Sequence, residues 1–163
     1  MPNWCMNNLT ISHGDTKQLQ KFVDAYNSGE TCQSFIPRPE SINNSDAFAA
    51  DGWYTWNVNH WGTKWDFGKD TVDDPVAIED GLVDISFETA WSPPIPFYDY
   101  LVDLGYNVDA TYFEPGMGFC GIYWNGDDDY VDYGDSKNII PDRIWDDYAL
   151  DDFFEMIDSE ADA

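Results

Sequence analysis

Carboxylates are the most abundant groups in this 163-residue chain that could take part in chemistry, because it has 32 Asp and Glu residues and only 7 Lys and Arg. Two carboxyls about 5–10 Å apart can hydrolyse a glycoside, but nothing in the sequence distinguishes one acid from another. Residues 127–132 read DDDYVD, which begins like a calcium loop but lacks the ligand and the glycine at its fifth and sixth positions. Loose binding of a divalent ion by Asp127 to Asp129 stays open.

The sequence lacks the usual motifs of zinc sites, of nucleophilic catalysis and of nucleotide binding. His13 and His60 are far apart in the chain, and no Cys/His cluster accompanies them. Neither a G-x-S-x-G turn nor a glycine-rich phosphate loop occurs. The three cysteines have no paired spacing, so we expect reduced and mostly buried thiols. The sequence therefore predicts no catalytic residue, no metal ligand, no cofactor and no enzyme.

The net charge of −25 is unevenly distributed along the chain. Residues 82–163 hold 20 acids and 2 bases, whereas residues 1–81 hold 12 acids and 5 bases. A surface of this sign repels phosphate and anionic lipid, so we expect no direct binding to nucleic acid or membrane. The start of the chain has no secretory-signal pattern and no apolar run approaches 18 residues, which predicts a cytoplasmic protein.

Aromatic residues interleave with the acids after Asn125, so residues 126–163 are predicted to fold rather than to form a charged tail. Carboxylates about 6 Å apart on a helix or strand would resemble the phosphates of duplex DNA, which carries about one charge per 1.7 Å of axis. The residues predicted to bind a basic partner are Asp127, Asp128, Asp129, Asp132, Asp135, Asp142, Asp146, Asp147, Asp151, Asp152, Glu155 and Asp158.

The pattern of apolar residues predicts an α+β fold in one domain, residues 1–163. Strands are expected at 7–11, 83–89, 108–113, 119–124 and 129–133, the last two joined by Asn125-Gly126. Helices are expected to begin at Asp15, Asp51, Ser92 and Pro141, and residues 30–50 and 66–81 are expected to be irregular. Together these elements predict an antiparallel or mixed sheet with helices packed on one face.

Two helices carry detailed expectations. Asp15 and Gln18 have the spacing of a capping box, and Gly105 is the expected end of the helix that begins near Ser92. The last helix is predicted to be continuous and acidic. Its apolar side would hold Trp145, Ala149, Phe153 and Met156, and its charged side Asp147, Asp151, Glu155 and Asp158.

Three segments carry conspicuous tryptophans and prolines: MPNWC at 1–5, WGTKWD at 61–66 and FETAWSPP at 87–94. Together they resemble the YubB ferredoxin-like family of phage and plasmid proteins over residues 1–125. The resemblance implies a ferredoxin-like core and an origin on a mobile element, but no activity, and it does not extend to the acidic segment 126–163. The motif residues are Trp4, Trp61, Gly62, Lys64, Trp65, Asp66, Trp91, Pro93 and Pro94. We interpret them as residues of the scaffold, and we expect Lys64 to lie on the face of an indole ring. The alternative is that they line a binding or catalytic site.

The function that this sequence predicts is inhibition by DNA mimicry. The partner would be a basic DNA-binding protein of the host, of the restriction, CRISPR, recombination or nucleoid class. A scaffold or assembly protein is the first alternative. A carboxylate- or metal-assisted hydrolase beside the tryptophan-rich segment 53–66 is the second, and it requires a pocket joining Trp61, Asp66 and one more carboxylate. Two simpler explanations of the acids also stay open: they only keep the protein soluble, or they adapt it to high salt. The uneven distribution of charge along the chain argues against adaptation to salt, which should spread the acids evenly.

Overall fold

A computed structural model describes residues 2–69 and 74–161. Five strands form one sheet in the order β2-β1-β3-β4-β5, and each neighbouring pair is antiparallel. The α+β class is therefore confirmed, and the sheet is antiparallel rather than mixed. The strands are β1 (Trp4–His13), β2 (Val83–Ala90), β3 (Tyr106–Glu114), β4 (Phe119–Trp124) and β5 (Asp127–Asp132).

The described helices number seven, and a single 3₁₀ turn covers Lys137–Ile139. They are α1 (Thr16–Asn27), α2 (Thr31–Phe35), α3 (Glu40–Asn43), α4 (Trp53–His60), α5 (Ile95–Asp103), α6 (Asp142–Asp147) and α7 (Leu150–Ala161). The expectation that residues 30–50 are irregular was wrong, because α2 and α3 lie there. Helices of five and four residues contain too few positions for a helical period to show in the sequence.

The helix starts agree with the sequence only in part. Asp15 is the N-cap of α1, as predicted, but its carboxylate accepts the N–H of Lys17 (2.9 Å) and not that of Gln18, so the capping box is absent. The N-cap of α4 is Gly52 rather than Asp51. A side chain at position 52 would not fit, because its Cβ would lie 1.8 Å from the carbonyl oxygen of Asp46. Gly105 follows α5 with φ +93°, as its expected role at the helix end requires.

The main core lies between the sheet and the helices α1 and α5, on what we call the α1/α5 face. Alternate residues of the three strands β2, β1 and β3 point into this core, which gives β2 its buried–exposed alternation from Val83 to Thr89. The strand residues Leu9, Ile11, Val83, Ile85, Val108 and Ala110 meet the helix residues Phe22, Val23, Phe97 and Leu101.

A second core lies on the opposite face of the sheet, beneath α6 and α7, which we call the α6/α7 face. Phe113 of β3 and Cys120 of β4 pack there against Ile144 of α6 and Leu150 of α7, and each of these four side chains is fully buried. The expectation that helices cover one face only was therefore wrong. Sequence alternation did not reveal the second layer because only part of β3 and β4 lies beneath it.

The predicted continuous last helix is broken between α6 and α7. Ala149 has φ +48°, in the left-handed region, and lies between the end of α6 and the start of α7. The break places the hydroxyl of Tyr148 where it donates to the carbonyl oxygen of Thr111 (2.9 Å). Asp147 therefore does not lie on the acidic side of a continuous helix, and Met156 is 53% exposed instead of lining the apolar side.

Two further expectations are confirmed. Asn125 and Gly126 both have positive φ, +43° and +106°, and connect β4 to β5 in a two-residue hairpin turn. Cys5, Cys32 and Cys120 are all buried. Within residues 2–69 and 74–161, no helix has both the length and the apolar character that crossing a membrane requires.

The left-handed conformation of Ala149 at the helix break can be tested by mutation. Replacing Ala149 by Gly removes the Cβ that a left-handed residue accommodates poorly, so we expect the free energy of unfolding to rise by about 0.5–1 kcal/mol. The control Gln20→Gly lies at an exposed position inside α1 and should lower the stability by a similar amount. Denaturant unfolding measures both variants. A loss of stability in Ala149→Gly, like that of the control, would show that the last helix is continuous.

Candidate functional site

The edge strand β5 carries four of the predicted acidic residues. Asp127 and Asp129 share the parity of Val131, which packs beneath α6 and α7, so they lie on the α6/α7 face of the sheet. Asp128 and Asp132 lie on the opposite face, and all four residues are exposed. Since β5 is the last strand of the sheet, its outer edge has no strand partner in the described part of the chain.

The helices α6 and α7 carry seven more of these acids. Leu150, Phe153 and Phe154 anchor α7 on the second core, so the helix is packed and is not a free tail. Its acids face outward, and Asp151, Glu155 and Asp158 follow one another at helical spacing along one side. The exposed residues of this group are Asp142, Asp146, Asp147, Asp151, Asp152, Glu155 and Asp158, and Asp135 is exposed in the loop after β5.

Three of the twelve acids have partners in the described part of the chain. Asp128 accepts a hydrogen bond from the hydroxyl of Tyr112 (2.7 Å), and burial raises the pKa of its carboxyl group. Asp147 accepts from the hydroxyl of Thr111 (2.7 Å) and lies 3.9 Å from Arg143. Asp158 lies 3.9 Å from the ammonium group of Lys137. Asp128 therefore links β5 to β3, and Asp147 links α6 to β3, in addition to carrying charge.

A simpler explanation covers the acids of β5. An edge strand presents unpaired backbone groups that can pair with another chain, and charged side chains on both of its faces prevent this. Such protection accounts for the four acids of β5, but it does not account for the acids of α7, because a helix presents no unpaired strand backbone.

The three tryptophan-bearing motifs, far apart in sequence, meet at one end of β1 and β2. The backbone N–H of Trp91 donates to the carbonyl oxygen of Asn3 (2.8 Å). The hydroxyl of Thr63 donates to the carbonyl oxygen of Ala90 (3.1 Å), and that of Ser92 to the carbonyl oxygen of Gly62 (2.5 Å). These bonds join all three segments into one junction, which we call the motif junction.

Gly62 allows the motif junction to close. It has φ +89°, and a Cβ at this position would lie 2.5 Å from Cδ of Pro96 and 2.9 Å from the backbone nitrogen of Ile95. The buried Pro93 and Pro94 precede α5, and Pro94 is its N-cap residue. These motif residues therefore have scaffold roles.

The tryptophans of the junction divide into buried and exposed ones. Trp61 is buried, and its indole N–H donates to the carbonyl oxygen of Ile36 (2.9 Å). Trp4, Trp65 and Trp91 are each about 40% exposed, and the rings of Trp4 and Trp65 lie 6.1 Å apart. The ammonium group of Lys64 lies 4.7 Å from the ring centre of Trp65, so the expected contact with an indole face is present.

Asp66 is a remote cap of α2. Its carboxylate accepts the backbone N–H groups of Cys32 (2.7 Å), Gln33 (2.9 Å) and Phe67 (2.8 Å). Burial nevertheless raises the pKa of Asp66 above the usual value for Asp, while the three hydrogen bonds oppose the shift. Both oxygens of this carboxylate are therefore engaged in holding α2.

A cavity of about 420 Å³ opens beside this junction, and we call it the Arg38 pocket. It joins Trp61 and Asp66 to a second carboxylate, Glu30, which is the arrangement that the hydrolase alternative requires. The lining residues are Glu30, Gln33, Arg38, Asn43, Asn57, Trp61, Trp65 and Asp66. Sequence reasoning missed Arg38 and Asn57, because Arg38 lies between two prolines in a segment that was expected to be irregular.

Comparison of the chain with protein-family models, with curated proteins and with solved structures finds no match in any of the three. The resemblance to the YubB ferredoxin-like family therefore stays a prediction based on the three motifs.

Gly62 provides a test of the motif junction. In Gly62→Ala the new Cβ meets both an unfavourable φ and the proline-rich start of α5, so we expect a loss of more than about 2 kcal/mol in the free energy of unfolding. Gly81→Ala is the matched control, because Gly81 has φ +77° but open space around it. It should cost only about 1 kcal/mol. Equal losses in the two variants, measured by denaturant unfolding, would contradict close packing at position 62.

Proposed function

We propose that this chain is an inhibitor of phage or plasmid type that imitates DNA. It would act in the host cytoplasm on the basic DNA-binding surface of a host defence or DNA-processing protein. The observation that carries this proposal is the placement of eleven of the twelve acids on the strand β5 and the helices α6 and α7. Apart from Asp128, Asp147 and Asp158, the twelve predicted acidic residues expose their side chains without a partner in the described part of the chain.

The spacing of these acids supports a resemblance to a polyphosphate strand. Along α7 the acids at i and i+4 lie about 6 Å apart, and alternate residues of β5 lie about 6.6 Å apart. Asp side chains, which are eleven of the twelve, keep the charge close to the backbone. A basic groove that binds phosphates would therefore meet carboxylates in fixed positions.

The energetic cost of the arrangement also supports a function. Like charges at i and i+4, such as Asp151 and Glu155, each lower helix stability by about 0.2–0.5 kcal/mol. Among the described residues after Asp127, only Lys137 and Arg143 carry positive charge. A surface that serves solubility alone does not require so one-sided a distribution.

We also propose that the fold is ferredoxin-like. Both β2 and β3 pair with β1 in antiparallel orientation, so they are parallel to each other, with β1 between them. The helix α5 connects them, which makes β2-α5-β3 a split β-α-β unit of the kind that ferredoxin-like folds contain.

A hydrolase is the second candidate, and the Arg38 pocket is the observation that favours it. Acid–base catalysis requires a carboxyl group that is free to exchange a proton with the substrate. Asp66 accepts three backbone N–H groups instead, so the pocket is better suited to binding than to hydrolysis. A scaffold role would use the exposed Trp4, Trp65 and Trp91 as a contact surface.

The experiment for the proposed function has two steps. The protein is immobilised, host lysate is passed over it, and retained DNA-binding proteins are purified. Fluorescence anisotropy then measures whether the chain competes with labelled duplex DNA for each of them. We expect competition that weakens as salt is raised, because the attraction between opposite charges is screened. The absence of any competed DNA-binding protein would contradict the proposal.

Charge-neutral variants locate the binding surface. We expect inhibition to weaken by about tenfold or more in each of two triple variants, since several charge pairs are lost at once. One is Asp127→Asn, Asp129→Asn and Asp132→Asn in β5, and the other is Asp151→Asn, Asp152→Asn and Glu155→Gln in α7. The control removes three exposed acids elsewhere, by Glu40→Gln, Asp51→Asn and Glu79→Gln. An equal effect of the control would show that net charge alone is responsible.

A further inference from the structure

Three side-chain amides bind Arg38, two at its guanidinium group and one at its backbone. The oxygen of Gln33 accepts its backbone N–H (3.1 Å), the oxygen of Asn43 accepts Nε–H (2.7 Å), and the oxygen of Asn57 accepts Nη1–H (3.0 Å). The rings of Trp53 and Trp61 lie 5.9 and 5.8 Å from the guanidinium carbon. The group is thus fixed before any ligand arrives.

These contacts determine which ends of the amides are free. Because each amide oxygen accepts from Arg38, each amide NH₂ must point elsewhere. The NH₂ of Asn57 donates to the carbonyl oxygen of Lys64 (2.7 Å). The NH₂ groups of Gln33 and Asn43 have no acceptor among residues 2–69 and 74–161, and both residues line the pocket. Together with the remaining guanidinium N–H groups, they make this side of the cavity a set of hydrogen-bond donors.

The positive charge of Arg38 is also not neutralised within the described part of the chain. The described ion pairs involve Lys137 and Arg143, and Arg143 lies 2.7 Å from Asp109. Arg38 has only neutral amide oxygens and indole rings as partners, in a chain with 32 acids. A fixed, uncompensated guanidinium beside two amide donors is suited to an oxyanion.

The rest of the pocket restricts the ligand further. Trp65 forms one wall and is 40% exposed, and a flat group can stack on the part of its ring that Lys64 and Trp4 leave open. Glu30 and Asp66 also line the cavity and would repel additional negative charge. The ligand therefore carries one anionic group and a neutral ring.

We propose that the Arg38 pocket binds a small aromatic oxyanion, with its carboxylate or phosphate group on Arg38 and its ring on Trp65. This proposal is independent of DNA mimicry, because the pocket is formed by residues 30–66 and the acidic surface by residues 127–158. Either proposal can fail without affecting the other.

The test is an NMR titration of the full chain, followed through the indole N–H signals of Trp61 and Trp65 and the Nε–H signal of Arg38. The probes are benzoate, phenyl phosphate, inorganic phosphate and, as a neutral control, benzyl alcohol. We expect saturable shifts with benzoate or phenyl phosphate, weaker binding of inorganic phosphate, and no saturation with benzyl alcohol. Tighter binding of benzoate would indicate a carboxylate ligand, and tighter binding of phenyl phosphate would indicate a phosphate ligand. Absence of saturation with both would overturn the proposal.

Two variants remove the anion site in different ways. Arg38→Gln deletes the charge, whereas Asn43→Asp keeps the oxygen that holds Nε and adds a carboxylate that neutralises Arg38. Each should weaken binding of the aromatic anion by about tenfold or more. Lys17→Gln removes one exposed positive charge that does not line the pocket and should leave binding unchanged. Unchanged binding in Asn43→Asp, whose exposed position should preserve folding, would contradict the assignment even if Arg38→Gln does not fold.

Discussion

The contact of Phe113 with four aromatic rings holds the acidic part of the molecule in place. Phe113 is fully buried in β3, and its ring lies 5.3–6.1 Å from those of Tyr133, Tyr148, Phe153 and Phe154. Like charges along α7 repel one another, so apolar contact with the sheet must provide most of the stabilisation of that helix. Removal of a buried Phe side chain typically costs about 3–5 kcal/mol. The acidic residues therefore form a fixed surface because this aromatic cluster anchors the elements that carry them.

The chain tolerates its charge by satisfying each acid that approaches the interior. Glu114 is buried and accepts the backbone N–H groups of Gly116 and Met117. Asp66 accepts three N–H groups, and Asp147 has Thr111 and Arg143. Exposed acids without an ion pair are numerous on β5, α6 and α7, while Arg38, which has no ion pair among the described residues, lies in a pocket at the motif junction. The acidic elements and the Arg38 pocket are formed by different parts of the chain.

Local patterns predicted the elements that local interactions define. Alternation at Val83 to Thr89, the turn at Asn125-Gly126 and the cap at Asp15 were each visible in a few neighbouring residues. Features that depend on distant contacts were missed. The left-handed Ala149 accompanies the packing of Tyr148 on β3, and the N-terminus of α2 is capped by the carboxylate of Asp66. The Arg38 pocket requires side chains from three separate elements, so no spacing in the sequence indicates it. The acids themselves were named from the sequence, but their attachment to a second core was not.

Backbone ¹⁵N relaxation of residues 127–161 tests most directly whether the acidic segment is a fixed surface. The steady-state ¹H–¹⁵N NOE of β5, α6 and α7 should equal that of β1 and β3 at low and at high salt, because aromatic packing and not charge holds these elements. In a Phe113→Ala variant the values for α7 should fall while those for β1 stay unchanged. Low NOE values throughout α7 in the unmodified protein would contradict the account, since a mobile chain of carboxylates cannot present charges at fixed spacing.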